Sequence, residues 1–73
     1  MILTTVGNVV EMLLRRQESV TSDDIKSVLT RAGVQISDSE LAKALMTLEI
    51  YKKIYVRRVR RENREVFQVF KRK

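Results

Sequence analysis

The 73-residue chain contains no cysteine, no histidine, no proline and no tryptophan, and only two glycines. Each absence narrows what the molecule can be. Without cysteine no disulfide can staple it, which fits a reducing, cytoplasmic setting, and without cysteine or histidine the usual structural zinc sites are excluded. The same two absences remove the commonest nucleophilic and acid–base devices of enzymes. With Gly7 and Gly33 the only glycines, no glycine-rich phosphate cradle can be built. Long apolar runs are missing as well. The longest uncharged stretch is Met1 to Val10, far short of a membrane span, and no basic leader precedes it. No catalytic activity, metal, cofactor or membrane contact is expected.

What is present in quantity is positive charge, unevenly placed. Residues 1–50 carry five basic and seven acidic side chains, a sum of −2, whereas residues 51–73 carry ten basic and two acidic ones, a sum of +8. A block this positive attracts phosphates. At its centre lies "VRRVRRENREVFQVF", with Arg57, Arg58, Arg60, Arg61 and Arg64 beside the only two phenylalanines. Arginine suits bidentate phosphate contact, and five in one segment exceed what solubility needs. The length sets one domain, 1–73, with "KRK" (71–73) as a basic tail. A chain this short buries a modest core, so tight helix packing and pairing with a second copy are the available sources of stability, and a homodimer is expected.

Apolar periodicity places three helices first. Over 2–17, Leu3, Val6, Val10, Leu13 and Leu14 recur at helical spacing, with Ile2 and Val9 widening the stripe and Met12 opposite it. Thr21 or Ser22 caps a second helix whose first turn holds Asp23 and Asp24 and whose stripe is Ile25, Val28, Leu29 and Ala32. Gly33 stops it, and Val20 offers a short strand before it. Ser37 caps a third helix in a capping box with Glu40. Leu41, Ala44, Leu45 and Leu48 face inward there, while Ser39, Ala42, Lys43, Met46 and Ile50 face outward, and fraying is expected over Tyr51–Lys53. All four acids at 23, 24, 38 and 40 sit at helix starts, where capping explains them better than metal-dependent hydrolysis.

From Ile54 the period changes to 2, and "RENR" offers a turn. With Glu62 and Asn63 at its centre, Arg60 faces Glu65, Val59 faces Val66, Val56 faces Val69 and Tyr55 faces Phe70. One face of this hairpin then gathers Ile54, Val56, Phe67 and Val69 as a lid over the helices. The other carries Tyr55, Arg57, Val59 and Val66, with Arg61 and Arg64 near the tip. Tyr55, Phe67 and Phe70 read first as core or dimer packing, ahead of base stacking.

The order of elements, together with "LAKALMTLEIYKKIYVRR" (41–58) and "VTSDDIKSVLTRAG" (20–33), resembles the winged helix-turn-helix superfamily, in particular its MarR-like and ArsR-like regulators. Leu41, Leu45 and Leu48, the Leu48–Glu49 pair and the basic strand from Ile54 to Arg58 carry the likeness. The resemblance implies an α+β fold, three helices followed by a C-terminal two-stranded β-hairpin wing. It implies a small cytoplasmic regulator of transcription that binds double-stranded DNA as a dimer. Ser39, Ala42, Lys43, Met46 and Thr47 would approach bases, and Arg57, Arg58, Arg60, Arg61 and Arg64 phosphates. Lys43 is the only clear basic residue on the outward face of the third helix, and Met46 with Ile50 forms a candidate protein contact. The alternative is therefore a non-catalytic winged-helix interaction module of a ribosome- or polymerase-associated assembly, binding protein or RNA.

Overall fold

In a computed structural model the chain is described over residues 2–51 and 54–72. It is an α+β fold of three helices and a three-stranded antiparallel sheet. Helix α1 spans Ile2–Leu14, strand β1 Ser19–Thr21, helix α2 Ser22–Arg31, helix α3 Asp38–Tyr51, strand β2 Ile54–Arg61 and strand β3 Arg64–Lys71. The strand order is β1-β3-β2. The expected hairpin is thus not a free two-stranded unit, because β1 adds to its β3 edge. Val20 drives that addition: it is fully buried and pairs with the equally buried Val69.

Helix α1 ends earlier than the apolar period suggests. The amides of Arg16 and Gln17 both donate to the Leu13 carbonyl, closing the last turn before the chain enters β1. Val6 and Val10 are its buried residues, and Ile2, expected in the stripe, is exposed together with Met12. Thr21 is both the last residue of β1 and the N-cap of α2. Its Oγ1 accepts from the Asp24 amide at 3.1 Å, and Asp24 Oδ2 accepts from the Thr21 amide at 3.0 Å, a reciprocal capping box. At the other end Gly33 has φ +81°. The Gly33 amide donates to Thr30 O and the Val34 amide to Leu29 O, the bond pair of a Schellman stop. Ala32 is the C-cap of α2 and lies exposed, so it leaves the stripe in which it was expected.

Ser37 and Glu40 form the second capping box, at 3.1 and 3.0 Å. Ile36, just before the cap, and Leu41, four residues after it, are both buried, the placement of a hydrophobic staple. The inward face of α3 is as read: Leu41, Ala44, Leu45 and Leu48 are buried. Tyr51 closes α3; Lys52 and Lys53, where fraying was expected, lie outside the described residues.

The hairpin register is as read, with Arg60 opposite Glu65, Val59 opposite Val66, Val56 opposite Val69 and Tyr55 opposite Phe70. Both turn residues take positive φ, Glu62 at 48° and Asn63 at 64°, the signature of the two-residue turn whose twist matches antiparallel strands. Ile54, Phe67 and Val69 join the core cluster with Val56 packed against it. Val66, on the opposite face, is buried too, outside that cluster. One further bond ties the layers: Glu49 Oε2, on α3, accepts from the Val56 amide of β2 at 3.0 Å. Among the described residues no helix is long and apolar enough to cross a membrane. The Cα radius of gyration is 11.2 Å, the value of about 11 Å expected for a chain of this length that is compact throughout. The hairpin therefore lies along the body and does not extend as a separate arm.

Candidate nucleic-acid interface

Period-2 alternation divides the arginines of the hairpin between two faces. Arg58 and Arg60 share the helix-facing side with Phe67 and Glu65, and Arg57 and Arg61 share the outer side with Gln68 and Val59. The first side meets α3 across a groove of 870 Å³. Its α3 wall is Asp38, Ser39, Ala42, Lys43, Met46 and Thr47, and its hairpin wall is Arg58, Asn63, Arg64, Glu65 and Phe67. All five residues of α3 singled out in the sequence thus line one groove with Arg58 and Arg64. Arg57, Arg60 and Arg61 are exposed but do not line it.

The groove has an apolar floor, from Ala42, Met46 and Phe67, and mixed charge at its rim. The Arg58 guanidinium lies 5.9 Å from the centre of the Phe67 ring, within the range of a cation–π contact. Arg64 is ion-paired with Asp23 at the start of α2. Among the described residues Arg57, Arg58, Arg60 and Arg61 form no ion pair. Arg61 stands directly opposite Arg64 in the ladder, where like charges repel by a few tenths of a kcal/mol to about 1 kcal/mol. Asp23 relieves that repulsion at Arg64 and leaves Arg61 free. Thr47 Oγ1 donates to the Lys43 carbonyl at 2.9 Å, so its hydroxyl proton is engaged within the helix.

No family model matches the chain, and no curated protein or solved structure matches it.

The groove also contains one carboxylate expected only to cap a helix, Asp38, together with Glu65. Asp38 reaches back to α2, where Lys26 Nζ donates to its Oδ1 at 2.7 Å. That hydrogen bond, with the charge of Lys26, holds the Asp38 carboxyl below its ordinary range. Glu40 is held low by the Ser37 amide that donates to it. With Asp23 on Arg64 and Asp24 in its capping box, each of the four acids at helix starts has a partner within the protein. Glu65 is the groove residue the sequence reading passed over; its position opposite Arg60 was the available signal. Residues of the tail differ from expectation. Lys71 is the last residue of β3, Arg72 stacks 4.6 Å from the Tyr55 ring centre, and Lys73 lies outside the described residues.

Proposed function

We propose that the chain is a winged helix-turn-helix module that binds double-stranded DNA without catalysing a reaction, as a dimeric cytoplasmic regulator of transcription. The observation that carries this reading is the run of exposed arginines without ion pairs on a strand that flanks the outward face of α3. The hairpin β2–β3 is the wing, and α3 is the helix presented to the major groove. Arg58, Arg60 and Arg61 neutralise phosphates beside the wing, and Lys43 does so from α3, while Ser39, Ala42, Met46 and Thr47 meet base edges. Arg64, held by Asp23, contributes less, and Arg57 contributes less because it faces away from α3 and lies back from the turn, whereas Arg61 on the same side ends β2 at the tip. Backbone contact supplies most of the affinity and the short, weakly polar face of α3 only modest selectivity.

The test is titration of a labelled 30-base-pair duplex by anisotropy at several salt concentrations. Four neutralised phosphates give a slope of log affinity against log salt of about −3 to −4. The double variant R58A/R60A weakens binding to all sequences alike and reduces the slope by about 2. A salt-independent affinity, or an unchanged slope in the variant, removes the proposal. A second reading, an interaction module within a larger assembly, draws on Ile50 and Tyr51, which are 74% and 78% exposed at the end of α3. Co-sedimentation with ribosomes or a polymerase, without a duplex shift, would favour it.

A further inference from the structure

The outer face of the sheet carries features that duplex binding through α3 does not use. The core cluster takes in Val20, Val69 and Ile54 on the opposite side, and on this face Val66 is buried while Tyr55 and Arg57 are exposed. Along its rows Tyr55 stands opposite Phe70 and Arg57 opposite Gln68. Ser19 and Thr21 of β1 extend the same rows, since they pair with Phe70 and Gln68. No strand position on this face is a carboxylate. Tyr55 is 51% exposed, which makes it the one sheet aromatic with a large open surface. The Arg72 guanidinium, 4.6 Å from its ring centre, extends the stack with a second planar group that carries positive charge. Beside Phe70 a groove of 610 Å³ opens, with Arg15, Arg16, Lys71 and Arg72 against Glu18. Of these, Arg15 is shared with Glu11.

We infer that this outer face binds single-stranded DNA, with bases stacked on the Tyr55–Arg72 pair and the backbone tracked by Arg57 and the basic groove beside Phe70. An aromatic platform on strands that place no carboxylate on this face, with basic side chains outnumbering Glu18 in the adjoining groove, complements a flexible polyanion that exposes its bases, because any base can stack and phosphates need only positive charge nearby. A duplex offers no free base face to Tyr55. Guanidinium planes stack on bases as aromatic rings do, so Arg72 need not leave the ring for a base to add to it. The choice of DNA over RNA rests on the duplex-DNA reading above, since the strand would be continuous with the duplex held on the other side of the same hairpin. The stacking platform itself does not depend on that reading.

The experiment compares a fluorescein-labelled 20-mer of deoxythymidine, the same length of uridine, and a duplex, against wild type, Y55L and K43A. Tyr55 is half exposed, and Leu at this strand position keeps its apolar contact, so Y55L is expected to fold. The deoxythymidine 20-mer is expected to bind wild type and to quench tyrosine fluorescence. Y55L is expected to lose about tenfold in affinity for it while keeping duplex affinity within about twofold. K43A is expected to do the reverse. Equal binding of the 20-mer by wild type and Y55L overturns the proposal, and so does tighter binding of uridine. A solution dimer that dissociates in Y55L also overturns it, since a second copy would then own the face. Loss of duplex binding alone sinks the function proposed above and leaves this one standing.

Discussion

At the scale of single residues, stability rests on side chains that complete the backbone's hydrogen bonds. The two capping boxes and the Glu49–Val56 bond are examples in which one side chain decides where an element begins or how two elements meet. Ser37→Ala is expected to cost about 1 kcal/mol in denaturant unfolding. Glu49→Ala leaves the amide of Val56 without its partner, at about 1–3 kcal/mol. The acid dependence follows from Asp38 and Glu40. Both carboxyls sit below their ordinary range when folded, so the stabilisation is complete above their unfolded values and is lost as pH falls through the lowered folded ones. Unfolding midpoints are therefore expected to fall between about pH 5 and pH 3, and E40Q to flatten that fall; identical pH profiles for E40Q and wild type would contradict it. Asp23→Asn offers a separate readout. An exposed ion pair contributes about 0–1 kcal/mol, so the fold persists, while Arg64 is released and duplex affinity rises several-fold with a steeper salt slope.

At the scale of elements, the hairpin turn combines one favourable and one unfavourable residue. Asn63 tolerates positive φ, whereas Glu62 at +48° pays the left-handed penalty of about 1–2 kcal/mol. The pair E62N/N63G supplies the preferred sequence for this turn and is expected to raise stability by about 1 kcal/mol without changing the register. Unchanged or lower stability would show that the tip has other constraints. The hairpin was legible in the sequence because "ENR" left a single turn centre and because β-branched residues on either side fell into register around it. The core of α2 was legible because its stripe ends at Gly33, and that of α3 because its stripe begins at the Ser37–Glu40 capping box. Strand β1 was legible only as a possibility at Val20, since three residues carry no period and their partner, Gln68–Phe70, is remote in sequence. The early end of α1 and the exposure of Ile2 and Ala32 were hidden for a related reason. Periodicity shows which residues could face inward, and tertiary geometry decides how far the covering extends. The groove was half legible. The outward positions of α3 follow from a helical wheel, but their meeting with Arg58 and the carboxylates of Asp38 and Glu65 depends on how the hairpin lies along the body.

At the scale of the whole molecule, charge and core are separated by depth, since the basic hairpin also gives Ile54, Phe67 and Val69 to the core. No buried polar or charged residue is found among the described residues, so the core owes little to ionic strength, while the excess of positive charge is exposed on the sheet. A polyanion that binds this surface binds the folded chain, because unfolding scatters the arginines and removes their alignment beside α3. Ligand binding must then raise the unfolding midpoint by mass action. Duplex at about a hundred times its dissociation constant stabilises the fold by about 2.7 kcal/mol. In a domain of this size that corresponds to a shift on the order of 10 °C in Tm. R58A/R60A, with weaker binding, is expected to show a much smaller shift at the same duplex concentration. A wild-type Tm that does not move while anisotropy reports saturation would mean that the unfolded chain holds the duplex equally well. In that case the arginines act as a charged segment, and their arrangement on the hairpin adds nothing to recognition.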